Sequence, residues 1–211
     1  MILDLHTHSV RSDDGRAKVA NYCQWIRKKE LPLDGMVLTE HRQYDGESDY
    51  HDLEDEYGLL ILKASEVETD YGHVLVFGVN DDILNSFDFA RLDNPLPLVL
   101  ESAKRGGGYA VPCHPGRRNV GLFSHYAEKG PVEGVEMVEI YNGGSIPGED
   151  ERSREEAARY GYRGIGGSDS HIVSRIGLCA TEFVDDIATI DDLVGALRAG
   201  RCEARTWRTQ T

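Results

Sequence analysis

The sequence predicts an α/β fold built on a mainly parallel sheet. Short apolar runs alternate with amphipathic, helix-like segments, which is the pattern of βαβ units. Six of the eight histidines sit where such a run ends or begins, and the C-terminal strand ends are where open α/β sheets and barrels bind ligands. Internal repeats, low-complexity tracts and linker-like Pro/Ser runs are absent, so a single domain over residues 1–211 is expected.

The chain opens on a strand-like run, Ile2–Leu5. Ala17–Lys29 follows as a helix, with Val19, Tyr22, Cys23 and Ile26 on one stripe before Pro32 closes the segment. Gly35–Leu38 is the second strand. The acidic stretch from Gln43 to Asp55 has little periodicity and reads as a surface loop with room for a short helix. Leu59–Ala64 and His73–Val79 are the next strands, with a tight turn at Tyr71-Gly72. Pro97–Lys104 (helix), Tyr109–Pro112 and Val135–Tyr141 (strands), Glu149–Tyr160 (helix), Gly164–Gly167 and Gly177–Phe183 (strands) continue the alternation. In the last helix Thr189-Ile190-Asp191-Asp192 forms a capping box, Leu193, Val194 and Leu197 the apolar face, and Gly200 the stop.

At 211 residues the chain can bury a substantial core without staples. No apolar stretch approaches the roughly 20 residues that span a bilayer, and Met1 leads straight into Ile2-Leu3-Asp4-Leu5-His6 without a signal pattern, so no membrane partner is expected. Cys23, Cys113, Cys179 and Cys202 are far apart and form no C-x-x-C. Neither a thiolate zinc site nor a disulfide framework is implied, and a reducing cytoplasm fits. The formal charge of −14 is spread along the sequence. It disfavours broad binding of a nucleic-acid backbone, so no stable nucleic-acid complex is expected, although a short oligonucleotide remains compatible.

His6 and His8 follow the first run at i and i+2, and in extended chain such residues point to one side. Thr39-Glu40-His41 follows the second run, Cys113-His114-Pro115 follows Ala110-Val111-Pro112, and Asp169 and His171 form another i, i+2 pair after Gly164-Ile165. Leu59–Ala64 leads into Ser65-Glu66-Val67-Glu68, with His73 heading the next strand. Converging imidazoles and carboxylates suit zinc, manganese or iron(II). Cys113 adjoins His114, but strand alternation is expected to turn the two side chains apart and leave the cysteine in the packing. His51 and His125 lie outside the pattern.

In order and spacing these residues resemble the PHP family, named for the polymerase and histidinol phosphatase proteins. The match runs from His6 to His171 through Asp4-Leu5-His6-Thr7-His8-Ser9, Ser12-Asp13-Asp14-Gly15, Thr39-Glu40-His41, Ser65-Glu66-Val67-Glu68-Thr69 with Gly72-His73, Cys113-His114-Pro115 and Gly167-Ser168-Asp169-Ser170-His171. The resemblance implies a distorted (β/α)7, TIM-like barrel carrying two to three divalent ions (Zn, Mn or Fe) at its C-terminal mouth. By the same resemblance His6, His8, Glu66 and Asp169 would hold a first ion. Glu66 would bridge to a second, also held by His73 and His114, and Asp13, His41 and His171 would hold a third. Glu68 competes with Glu66 for the bridge and Asp14 with Asp13. Glu40 stands where the family often has Asp, which bears on the layer behind the ligands.

A cluster of this kind implies a metal-dependent phosphoesterase, with His6, His8, Glu66, His114 and Asp169 central to catalysis through a hydroxide held between cations. Arg117 is the first choice for a phosphate clamp, followed by Arg118 and Arg175, and Asn142 ends a strand where it can orient substrate. The expected substrate is a small phosphomonoester such as a nucleotide, a sugar phosphate or a histidinol phosphate-like compound. Alternatives are phosphodiester or exonuclease action on short oligonucleotides, a non-catalytic metal domain, and amidohydrolase-type hydrolysis with Lys63 as the bridge. Strand alternation argues against the last by turning Lys63 away from Glu66.

Overall fold

A computed structural model describes residues 1–208. In chain order the elements are β1 (Ile2–Thr7), α1 (Val19–Lys28), β2 (Gly35–His41), α2 (His51–Tyr57), β3 (Leu60–Thr69), β4 (Gly72–Phe77), α3 (Asp81–Leu84), α4 (Leu96–Arg105), β5 (Tyr109–Pro112), α5 (Tyr126–Lys129), β6 (Met137–Asn142), α6 (Glu149–Tyr160), β7 (Arg163–Gly167), β8 (Cys179–Phe183), α7 (Ile190–Ala199) and β9 (Cys202–Thr206). The stripe of α1 is buried as its spacing requires, through Val19, Tyr22, Cys23 and Ile26. In α7 the Thr189 hydroxyl accepts from the Asp192 N–H while the Asp192 carboxylate caps Thr189, and Gly200 ends the helix at φ 66°.

The fold is α/β, but its sheet is mixed rather than mainly parallel. Seven strands run in the order β5-β4-β3-β2-β1-β8-β9, and β6 and β7 form a separate pair. β1, β2 and β3 are parallel, whereas β4 is antiparallel to both β3 and β5, and β8 to both β1 and β9. For β4 the cause is connection length. Thr69 pairs with Gly72 across the two residues Asp70 and Tyr71, and a link that short can only reverse the chain. Gly72 takes φ 103°, and a Cβ there would meet the Val120 carbonyl at 2.1 Å.

The ladder hydrogen bonding therefore does not trace a regular (β/α)7 barrel. The sheet curls, and the parallel β6–β7 pair packs against β5 on one side and β1 on the other. At the β1 seam the contacts are irregular: Thr7 bridges to Ser170, and the Ser168 N–H donates to Asp4 Oδ1 at 2.8 Å. The buried Tyr22 hydroxyl lies 2.9 Å from the His8 carbonyl and 2.7 Å from that of Ser170. One apolar cluster collects Leu3, Leu5, Val37, Ala64, Leu75, Val111, Met137 and Ile165, with contributions from each of β1 to β7, together with Leu193, Val194 and Leu197 of α7. No helix among the described residues is long and apolar enough to cross a membrane.

Candidate metal centre

The strand ends bring their donors to one carboxylate. Glu66 is fully buried within β3, and its two oxygens face different sets of side chains. Oε2 lies 3.0 Å from His6 Nε2, 3.2 Å from His8 Nε2 and 3.3 Å from His41 Nδ1. Asp169 Oδ1 stands 3.5 Å from both His6 Nε2 and His8 Nε2, completing a four-residue donor group. Oε1 lies 2.8 Å from His73 Nδ1, 3.2 Å from His114 Nε2 and 3.3 Å from Cys113 Sγ. His41 and His73 group with Glu66, as do Cys113 and His114, while His8, His41 and His171 gather further out.

Backbone geometry aims these groups. His114 has φ 33°, Asp169 φ 51° and Arg42, just after His41, φ 55°. Left-handed backbone at a non-glycine residue costs about 1–2 kcal/mol, so three such residues at the ends of β2, β5 and β7 are strain held by their surroundings. At His114 the result corrects the expected divergence from Cys113. The left-handed residue breaks the alternation, and Sγ and Nε2 sit 3.4 Å apart, both directed at Glu66.

Behind the donors lies a layer of buried acids, in which the sequence reading singled out Glu40 but not Glu139. Glu139 Oε1 is 3.0 Å from His6 Nδ1, and its Oε2 accepts from the His114 N–H and the Asn142 amide, each at 2.8 Å. A charged residue between Val138 and Ile140, inside an apolar run, was the available signal. Asp4 accepts from the backbone N–H groups of His6, Ser168 and Gly177. Burial raises its pKa to about 6 against the pull of those bonds. Glu40 accepts from the backbone and hydroxyl of both Ser9 and Ser12, behind the ligands rather than among them.

The donor set fits divalent cations on its own chemistry. With its Nδ1–H on Glu139, a neutral His6 turns a lone pair toward the Glu66 oxygen 3.0 Å away, an arrangement that calls for positive charge between them. His8 Nε2 and His41 Nδ1 are buried beside the same oxygen without a hydrogen bond. Burial opposes protonation of His6, yet Glu139, Asp169 and Glu66 hold its pKa well above the ordinary value. Burial likewise opposes ionisation of Glu66, yet His6, His41 and His114 hold its carboxyl well below the usual range. The pocket is thus electrostatically arranged for cations.

A family model described as PHP-associated matches residues 147–202, the segment that carries α6, β7 and the Asp169–His171 loop. Over that segment the chain is similar to PHP-associated proteins. No curated protein matches the sequence, but solved structures share its fold. PsfC from Pseudomonas syringae superposes with a TM-score of 0.67 at 17% identity, covering 97% of this chain and 91% of that one. A Bifidobacterium adolescentis protein described as a metal-dependent phosphoesterase gives 0.60 at 18%, covering 93% and 95%. The lesion-specific endonuclease PfuEndoQ of Pyrococcus furiosus gives 0.66 at 15%, covering 96% of this chain and 57% of its own.

The remaining expected residues divide between the cluster and the surface around it. Asp14, not Asp13, faces the outer histidines, at 3.0 Å from His171 Nε2 and 3.5 Å from His41 Nε2. Asp13 is instead drawn off by Arg42, which also binds Glu68 at 2.7 Å and so removes Glu68 from the cluster. Lys63 donates to the Ser48 carbonyl at 2.8 Å, away from Glu66. Asn142 is buried, with its amide donating to Glu139 and its oxygen accepting from Arg117 and Gly144. Arg117 reaches the centre, its Nη2 lying 2.9 Å from Asp169 Oδ2. Arg118 and Arg175 are exposed and make no side-chain hydrogen bond or ion pair among the described residues. His51 pairs with Glu54 on the surface and His125 with the Asn119 carbonyl. A cavity of about 800 Å³ at the start of β5, lined by Lys104, Tyr109, Glu136 and Arg198 among others, contains none of the donors.

Proposed function

We propose that the protein is a single-domain, metal-dependent phosphoesterase acting on a small phosphomonoester. The observation that carries this reading is the Glu66 carboxylate, shared between two groups of imidazole and acid donors with a guanidinium beside them. His6, His8, Glu66 and Asp169 would hold one cation, Glu66, His73 and His114 a second, and Asp14, His41 and His171 a third. Bound there, divalent cations would supply Lewis acidity to the ester and lower the pKa of attacking water.

The chain's own residues organise the rest. Glu139 fixes the ring of His6 so that Nε2 faces Glu66. Arg117 is anchored through Nη2 by Asp169 and Asn142, its Nε lies 4.0 Å from Glu149 Oε2, and it stays partly open to solvent, so Nη1 is the nitrogen left to phosphate oxygens. The fold shared with a metal-dependent phosphoesterase supports the reaction class. Because the fold is also shared with a lesion-specific endonuclease, phosphodiester cleavage is the second reading.

The test is a panel of phosphomonoesters and diesters offered to Mn²⁺- or Zn²⁺-loaded protein. Hydrolysis of an aryl phosphate that is abolished by chelation is the expected result. A folded, metal-loaded protein inert across the whole panel overturns the assignment, and turnover confined to diesters selects the second reading.

A further inference from the structure

The structure shows a buried thiol among the donors, where sequence spacing gave no thiolate site. We propose that Cys113 is a metal ligand, donating its thiolate to the cation held by Glu66 and His114. This inference rests on the metal-centre reading above but not on the reaction assigned to it.

Cys113, His114 and Glu66 form a group of their own, with Sγ 3.3 Å from Glu66 Oε1 and 3.4 Å from His114 Nε2, and Nε2 3.2 Å from Oε1. Donors around a tetrahedral zinc, at ordinary Zn–N and Zn–S bond lengths, stand about 3.3–3.7 Å apart, so the spacing of this trio is close to that of bound ligands. His73 reaches the same oxygen from its other side, at 2.8 Å, but falls in the group with His41 rather than with His114. A cation held by Glu66 and His114, with the His73 ring centroid 5.2 Å from that of His114, thus has Sγ as a further donor on the His114 flank.

The thiol is fixed where it stands. The Cys113 N–H donates to the His73 carbonyl at 3.1 Å, which carries the β4–β5 pairing one residue past β5. The His114 N–H is then held by Glu139 at 2.8 Å in the left-handed turn that puts both side chains on Glu66. Cys113 is fully buried, so its sulfur faces ligand groups rather than solvent. Cation binding would release its proton to solvent, as coordinating thiols do. A sulfur donor favours Zn²⁺ over the harder Mn²⁺, so Cys113 sets the metal preference of this flank.

Cobalt(II) reports the bond directly. The Co²⁺-loaded protein is expected to show a near-ultraviolet thiolate-to-cobalt charge-transfer band. The band should vanish in Cys113→Ser and Cys113→Ala and persist in Cys179→Ser, whose sulfur contacts Thr206 instead. In Zn²⁺/Mn²⁺ competition the preference for zinc should fall about tenfold or more in Cys113→Ser. Wild-type protein with visible cobalt bands but no thiolate band overturns the proposal while leaving the metal centre standing. Failure to bind cobalt at all overturns both. Neither outcome depends on finding a substrate.

Discussion

The donors on the inner side of the Glu66 carboxylate and those at the outer rim share one centre but differ in what holds them. His6, His8 and Asp169 have side chains that are 0%, 0% and 7% exposed, and Glu139, Asp4 and Tyr22 brace them or their backbone. His171 and Asp14 are 28% and 51% exposed and lean mainly on each other. Ligands whose orientation is already fixed lose little freedom on binding, whereas exposed ones must be ordered at that moment. The inner set should therefore bind first and release last.

Glu66→Ala gives the largest expected effect because it serves both sides. Turnover should fall by about 10³-fold or more, the scale of removing a transition-state donor, and elemental analysis should find the centre depleted. Glu139→Gln separates the two sides: affinity at the inner set should drop about 10–100-fold while the outer set is spared, and an equal loss at both would break the comparison. Acidity should act in the same direction. Burial opposes protonation of His8, but Asp169 and Glu66 hold its pKa at about 9, so below that pH a cation must displace a proton. Inner-set affinity should rise up to about tenfold per pH unit toward pH 9. Burial lowers the pKa of His41, so that residue adds no such dependence at neutral pH. Titrations at several pH values would measure the slope, and a flat profile would contradict it. Asp14→Asn should weaken the outer set by about 1 kcal/mol, as for an exposed charged contact, with Asp13→Asn silent; the reverse order would restore the original choice.

Most strands were legible because each is a short apolar run. β9 was missed because Cys202–Thr206 alternates small and charged residues without such a run. The direction of β4 and β8 was not legible either, since it depends on connection length and pairing rather than on composition. The histidines announced themselves by position. Glu139 did not, since its partner His6 lies 133 residues away. Neighbouring acids such as Asp13 and Asp14 could be told apart only by Arg42, which captures one of them. The thiol was misjudged because alternation was assumed to continue through a residue that turns left-handed.

The two-residue turn at Asp70 and Tyr71 also bears on the order in which the centre forms. It places Glu68 opposite His73 and leaves Glu66 diagonal to it on one ribbon, so two donors are joined by a hairpin that closes in about 1–10 μs. The inner donors meet only when distant parts of the chain come together, which is the slow, non-local step. A nascent chain would thus carry half a cation site before the curled sheet is complete. Metal present during refolding should accelerate closure if it is captured there, and stopped-flow refolding with and without Zn²⁺ would record the difference.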